Sequence, residues 1–120
     1  MGKKKGKKEV WKPIYNDTLG IYEVSNLGRL RNVKSGRVLK LHYHPKRNTV
    51  YAHINVRWSF RPWAQREHHT FSHLVYNAFS AEDDKIIHQL YGGGSSIKGL
   101  RVGHKDGNPR NNRFSNLYRY

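Results

Sequence analysis

The sequence contains no cysteine, only four prolines and one methionine, and only eight acidic residues among 120. Without cysteine the chain forms neither disulfides nor thiolate zinc sites. No apolar run approaches the roughly 20 residues that a transmembrane helix needs. Residues 1–8 are rich in lysine and glycine and lack the apolar segment of a secretory signal. Secreted disulfide scaffolds and membrane proteins are therefore not expected.

Positive charge is what the sequence has in excess. Twenty-three lysines and arginines face eight acids, for a formal net charge of +15. A charge this far from zero disfavours a compact monomer through self-repulsion, and it is easiest to explain if the partner is a polyanion. Nucleic acid is the leading expectation, DNA before RNA, against the plainer alternative of a merely soluble basic protein. We expect a cytoplasmic location, associated with the nucleoid or with a ribonucleoprotein; the oligomeric state stays open.

The organisation along the chain predicts an α+β protein. Residues 1–9 form a basic tail, and residues 10–48 read as short strands punctuated by glycine turns. Residues 50–60 alternate apolar and polar side chains, which predicts a strand with one buried face. A short helix follows to about residue 79, with Ser72 as its N-cap and Leu74, Val75, Ala78 and Phe79 as its buried stripe. Residues 49–120 make up the remaining segment.

Basic residues recur through the first segment, and in an alternating strand some of them would share one face. Such a stripe can meet a phosphate backbone, although a solvated face of a small β unit fits each residue equally well. The candidates for nucleic-acid contact in and near this segment are Arg29, Arg31, Lys34, Arg37 and Arg57.

A candidate catalytic histidine lies near the C-terminus. Val102 ends an apolar run, His104 follows, and Asp106-Gly107 forms a turn because glycine accepts positive φ. Three asparagines, at positions 111, 112 and 116, are within reach of the histidine. An imidazole held by amides that do not titrate suits a general base at neutral pH.

Two groups of side chains are candidates for a metal site. His42 and His44 project to the same face of a strand but lack an obvious third ligand. The acidic patch at residues 82–84 is a second weak candidate, and the glycine-rich stretch at 92–96 reads as a flexible connector. The metal ligands are therefore left unknown.

Three motifs resemble the HNH homing endonucleases of phage introns. The first is H-K-D-G-N at residues 104–108, followed by N-N-R at 111–113 and S-N-L at 115–117. The second is T-F-S-H-L-V-Y-N-A-F at residues 70–79. The third is W-K-P-I at 11–14 with Y-E-V-S-N-L-G-R-L-R at 22–31, which is similar to the modular DNA-binding motif that precedes the nuclease domain in that family.

The resemblance implies a small β-rich N-terminal unit at residues 10–48, then a helix and a partial ββα-metal motif within residues 49–120. It implies that His104 is the general base, that Asn116 braces the loop and orients it, and that Mg²⁺ or another divalent cation takes part if the protein is active. Arg110 and Arg113 are expected to hold phosphates, and His73 to lie beside the active region, where a structural or phosphate-contacting role fits it better.

Two departures from the family weigh on catalysis. Many members carry an aspartate or histidine metal ligand immediately before the general base, where this sequence has Gly103. A C-terminal helix with another ligand is expected in the family and is not seen before Tyr120. Two functions therefore remain open. One is a metal-dependent DNA endonuclease that nicks or cleaves; the other is an inactive relative that binds DNA or RNA, for example as part of a ribonucleoprotein such as the ribosome.

Overall fold

The computed structural model describes residues 8–81, residue 85 and residues 101–120. Its elements are, in order, β1 (Trp11–Pro13), β2 (Tyr22–Ser25), β3 (Leu30–Asn32), β4 (His42–His44), β5 (Thr49–Val56), β6 (Gln65–Thr70), α1 (Phe71–Phe79), β7 (Val102–His104), a 3₁₀ turn (Phe114–Asn116) and β8 (Leu117–Arg119). The strands form three antiparallel sheets, ordered β1-β2-β3, β4-β5-β6 and β7-β8. The predicted α+β class is confirmed.

The first sheet follows from alternation in β2. Tyr22 and Val24 are buried, and the turn after β2 is held by Ser25, whose hydroxyl oxygen accepts hydrogen bonds from the backbone N–H groups of Leu27 (3.2 Å) and Arg29 (3.1 Å). Gly28 lies in that turn with φ +83°, a conformation that an L-residue adopts only under strain. The local sequence thus encodes a tight β2–β3 hairpin.

β5 is the central strand of the second sheet. Val50, Ala52, Ile54 and Val56 point into the core, and the intervening side chains point outward, as the alternation predicted. The strand ends at Val56 rather than at residue 60. Beyond Val56 the chain bonds the turn at Asp17 instead: the Asp17 side-chain oxygen accepts a 2.8 Å hydrogen bond from the backbone N–H of Arg57, and Asp17 forms a bridge with Trp58.

Helix α1 begins one residue before its expected cap. Thr70 occupies the N-cap position without a side-chain capping bond, and Ser72 is buried inside the first turn. Thr70 is also the last residue of β6, paired with Tyr51. Strand pairing therefore fixes where the helix starts, and the expectation that Ser72 caps it is wrong. Leu74 and Val75 are buried as predicted, and Ala78 and Phe79 are partly buried.

One core joins the three sheets and the helix. Its members are Ile14, Tyr22, Val24, Leu30, Val50, Ala52, Ile54, Val56, Trp58, Phe71, Leu74, Val75, Tyr76 and Leu117. Each large apolar side chain buried there contributes about 1.5–3 kcal/mol relative to exposure. Leu117 belongs to β8, so the C-terminal hairpin shares the core of the N-terminal sheets. Across the described residues no helix has the length and apolar character needed to cross a membrane.

A polar network lies beneath the second sheet, centred on Glu67. Its carboxylate accepts hydrogen bonds from Trp58 Nε1 (3.0 Å) and Arg61 Nη1 (2.7 Å) and lies 2.7 Å from His69 Nε2. Burial pushes the pKa of Glu67 upward, but the hydrogen bonds from His69, Arg61 and Trp58 outweigh burial and leave it lowered. The network fastens the loop after β5 to β6.

The residues predicted as an acidic patch (82–84), as a glycine connector (92–96) and as most of the basic tail (1–7) lie outside the described residues. The second sheet takes β4 from one side and β5 from the other side of the boundary that we predicted after residue 48.

Candidate functional site

The C-terminal hairpin positions the candidate general base. β7 and β8 pair with His104 opposite Leu117, so the histidine stands at the end of a strand, where the chain enters the loop of residues 105–113. Gly107 has φ +75° and donates its backbone N–H to the His104 carbonyl at 2.9 Å. This turn reverses the chain immediately after the histidine.

Asn112 holds the His104 ring. His104 Nε2 lies 2.8 Å from Asn112 Oδ1, and Asn112 is almost completely buried. An amide oxygen can only accept, so Nε2 carries the hydrogen in this arrangement. In the neutral ring the lone pair then resides on Nδ1, which is left as the proton acceptor of the half-exposed imidazole.

Asp106 organises the rest of the loop. Its carboxylate accepts hydrogen bonds from Asn111 Nδ2 (2.9 Å), from the backbone N–H of Asn108 (2.8 Å) and from Asn116 Nδ2 (3.0 Å). These bonds, in that order, lower the pKa of Asp106 from its usual 3.8 to about 2. Both carboxylate oxygens are therefore occupied within the loop.

The two tasks that we assigned to Asn116 are divided between two residues. Asn116 braces the loop, because its amide bonds Asp106, accepts from the Asp106 backbone N–H (3.2 Å) and donates to the Asn111 carbonyl (2.9 Å). The amide that contacts the His104 ring belongs to Asn112. The expectation that Asn116 itself orients His104 is corrected on this point.

Gly103 precedes the histidine and lies under the ring of Tyr118. A Cβ at position 103 would lie 2.6 Å from Tyr118 Cζ and 2.7 Å from its hydroxyl oxygen. The space that a side-chain metal ligand would need at this position is filled by the tyrosine. The two rings Tyr118 and Tyr120 lie 5.6 Å apart on the exposed side of β8.

These residues do not fit a divalent metal ion. Hard cations take several oxygen ligands at fixed distances. Gly103 supplies none, and the Asp106 oxygens are engaged by three donors. Within the described ranges there is no group of three or more histidine, aspartate or glutamate side chains that could hold a metal, and the weakly indicated His42–His44 pair gains no third ligand.

Three contacts dock the loop on the N-terminal half of the chain. The backbone N–H of Phe114 donates to the Asn26 carbonyl at 2.8 Å. A Cβ at Gly28 would meet the backbone carbon of Asn112 at 2.9 Å, so the hairpin turn touches the loop directly. In the third contact, the Arg110 guanidinium lies 3.9 Å from the centroid of the Tyr43 ring on β4. The loop of His104 and the β2–β3 turn are therefore one packed unit.

The first two predicted nucleic-acid contacts are engaged within the protein. Arg29 pairs with Glu9 at 2.6 Å, and Arg31 pairs with Glu23 at 2.8 Å. Both guanidinium groups also stack on the Trp11 ring, at 5.6 Å and 4.1 Å from its centroid. They remain partly exposed, so each still presents N–H groups to a ligand.

The remaining predicted nucleic-acid contacts differ in whether their side chains already interact with other residues of the protein. Arg57 donates Nε to the Thr18 hydroxyl at 3.0 Å, and His73 lies half-buried on α1 with interactions of its own. Lys34, Arg37 and Arg113 are exposed, and their side chains show no hydrogen bond or ion pair to the described residues. Arg110 stacks on Tyr43.

Sequence reasoning missed three features of this site. The choice of Asn112 over its two neighbours depends on which amide the folded loop turns toward His104. The cover of Gly103 by Tyr118 depends on the β7–β8 register, which places the two residues opposite each other. The contact between Gly28 and Asn112 joins positions 84 residues apart (112 − 28). The glycine in the β2–β3 turn was the only feature of the sequence that pointed to it.

Comparisons with known proteins concern the fold and the N-terminal motif. No curated protein matches the chain. The NUMOD4 motif matches residues 9–57, which covers the first sheet and β4 and β5. Among solved structures the chain is similar to the HNH homing endonuclease I-HmuI, a protein described for DNA binding and cleavage, with 27% identity and a TM-score of 0.59 over 92% of this chain. The chain covers 52% of that structure and so spans about half its length. The chain is therefore similar to an HNH homing endonuclease in its fold, and the NUMOD4 motif matches its residues 9–57.

Proposed function

We propose that this protein binds DNA through its NUMOD4 segment and its C-terminal loop, with the His104 loop placed against the phosphodiester backbone. The observation that carries the proposal is the docking of that loop on the β2–β3 turn, through the close approach of Gly28 and Asn112. Because the two parts pack together, a duplex that lies on the cationic hairpin also meets the histidine. The net charge of +15 supplies the attraction.

Three exposed cations provide the first contacts on this proposal. Lys34 lies in the turn after β3, Arg37 follows that turn, and Arg113 lies in the loop beside Asn112. Arg29 and Arg31 add contacts at a lower gain, because DNA has to compete with their carboxylate partners. If DNA is the partner, we expect the protein to work in the cytoplasm beside the nucleoid.

Phosphodiester cleavage is a second candidate function, and the His104–Asn112 pair favours it. In that reaction Nδ1 of His104 takes a proton from water, and the water oxygen attacks phosphorus as the ester oxygen departs. The hydrogen bond at Nε2 fixes the tautomer and stabilises the imidazolium that forms. The described residues hold this base in place but do not supply ligands for Mg²⁺, so no step is assigned to a metal.

DNA binding is tested by the salt dependence of affinity for a short duplex. About five phosphate contacts would lower the affinity roughly 500-fold between 0.05 and 0.2 M salt. Replacing Lys34, Arg37 and Arg113 together by glutamine should reduce the slope of log K against log salt by about 2.7. The same change at Arg61, which is largely buried and paired with Glu67, should leave the slope unaltered. An affinity that does not change with salt would refute the proposal.

Cleavage is tested separately by plasmid nicking with Mg²⁺ or Mn²⁺. If His104 is the general base, His104→Ala should lower the rate about 10²–10⁴-fold, and His44→Ala, which removes an exposed imidazole on β4, should not. Binding without nicking under either ion would leave the inactive, DNA-binding relative as the function. A preference for RNA over duplex DNA in the same binding assay would favour the ribonucleoprotein alternative.

A further inference from the structure

Three histidine rings form a stack across the outward face of the second sheet. The ring centroids of His42 and His53 lie 4.2 Å apart with an interplanar angle of 26°, and those of His53 and His68 lie 3.9 Å apart with an angle of 12°. The rings come from β4, β5 and β6, and His53 and His68 are register partners. We call these three residues the imidazole stack.

The stack leaves only ring edges open to a ligand at its centre. Both faces of His53 are covered by its neighbours, so the ring can meet solvent only through its edge, where the nitrogen atoms lie. A protonated imidazole has two N–H donors and no acceptor. Three such edges on adjacent strands, which are spaced about 4.8 Å apart, form a row of donors suited to phosphate oxygens.

The charged and titratable groups on this face are all cationic or neutral. β4 contributes His42 and His44, β5 contributes Tyr51 and His53, and β6 contributes Arg66 and His68. The acid of β6, Glu67, points to the opposite side of the sheet, where it bonds Trp58 and Arg61. Among the described residues of these three strands, no carboxylate therefore neutralises the stack.

Protons and an anionic ligand should bind to this face together. Burial lowers the pKa of His53, and the charges of His68, His42 and Arg66 lower it further, so this central ring resists protonation when the protein is free. A phosphate at the ring edges would relieve that repulsion. By linkage, if a bound anion raises the proton affinity of the rings by some factor, protonation of the rings raises their affinity for the anion by the same factor.

We propose that the imidazole stack is a phosphodiester-binding site at which DNA is held more tightly as the rings take up protons. This inference rests on the proposed DNA-binding function and adds to it a second contact surface with its own control. A transition-metal site is disfavoured, because the described side chains contain no group of three that could hold a metal ion.

The first test measures the dissociation constant for a short DNA duplex at pH 5.5 and pH 8.0, at 0.15 M ionic strength. Each imidazolium that engages a phosphate should tighten binding about fivefold at this salt concentration and steepen the slope of log K against log salt by about 0.9. We expect one or two such contacts, hence a gain of about 5- to 30-fold at pH 5.5.

Variants assign that gain to the stack. The triple variant His42→Gln, His53→Gln, His68→Gln should bind as the wild type does at pH 8.0 and lose the gain at pH 5.5. His44→Gln is the matched control. It removes an exposed imidazole from the same strand as His42, but the ring of His44 contacts Tyr51 and is not part of the stack. If the triple variant fails to fold by circular dichroism, the single variant His53→Gln takes its place.

An NMR titration of the histidine ring protons gives a measurement that needs no variant. The pKa of His53 should rise when DNA is bound, while the ring-proton chemical shifts of His69, which lies against Glu67 on the other side of the sheet, should not change with DNA. Equal DNA affinity at both pH values, or unmoved ring titrations, would overturn this inference while DNA binding stands. No DNA binding at either pH would overturn the proposed function as well.

Discussion

Gly28 is the point where the β2–β3 turn meets the loop that carries the candidate general base, and Gly28→Ala tests that contact. The glycine has φ +83°, and a Cβ there would meet the backbone of Asn112 at 2.9 Å (carbon) and 3.0 Å (oxygen), and the Arg113 nitrogen at 3.2 Å. These are backbone atoms, so no side chain can swing aside. The turn and the loop must separate to accept a methyl group.

Alanine variants of two other glycines distinguish the strain of positive φ from the clash between an added Cβ and the Asn112 backbone. Gly20 and Gly36 have φ +73° and +74° and have nothing within 4 Å of an added Cβ. Left-handed backbone costs an L-residue about 1–2 kcal/mol, so each of these two alanine variants should lose about that much. Gly28→Ala should lose a further 1–3 kcal/mol or so from overpacking. The sum, about 2–5 kcal/mol, is a large part of the 5–15 kcal/mol typical of a domain.

Urea unfolding of the three alanine variants measures these differences. We expect Gly28→Ala to be the least stable by at least 1 kcal/mol or so, with an unchanged m-value. Because Asn112 contacts the His104 ring, the ring resonances of His104 should also move in Gly28→Ala and stay in place in Gly36→Ala. If all three variants lose the same stability and leave His104 unaffected, the turn and the loop do not touch, and the packed unit described above does not exist.

Three further expectations follow from the contacts of single residues. Glu67→Gln should cost about 2–4 kcal/mol in urea unfolding, because it leaves the largely buried Arg61 guanidinium without its charge partner. Glu23→Gln, at a more exposed ion pair, should cost less than about 1 kcal/mol, and equal losses would contradict this difference in burial. The pKa of Asp106 is lowered to about 2, so the stability that its carboxylate contributes is complete above pH 3.8 and is lost as the pH falls from there toward 2. The acid-unfolding curve of Asp106→Asn should therefore be flatter than that of the wild type across this interval. Gly103→Ala places its methyl group against the far end of the exposed Tyr118 ring, which can move aside, so the cost should be small and should disappear in a Tyr118→Ala background. A double-mutant cycle measures the expected coupling of about 0.5 kcal/mol, and strict additivity would refute it.

Local patterns carried most of the fold. The alternation of residues 50–56 predicted β5 and its buried face, because a strand repeats every two residues whatever surrounds it. The errors lie at boundaries. The strand stops at Val56 because Asp17, far away in sequence, binds the next backbone N–H, and α1 starts at Phe71 because strand pairing reaches Thr70. Secondary-structure propensity depends on neighbouring residues in the sequence, so it cannot predict either the Asp17 hydrogen bond or the strand pairing of Thr70.

The sequence by itself determined the charge, the strand-and-helix class and the motifs that resemble those of HNH homing endonucleases, because each of these depends only on composition or on short-range spacing. Only the tertiary structure decided which asparagine holds His104, that Tyr118 fills the space beside Gly103, and that three histidines from separate strands stack face to face. Each of those contacts depends on strand register or loop packing between distant segments. A shift of one residue in register would turn every side chain of a strand to the opposite face and remove them.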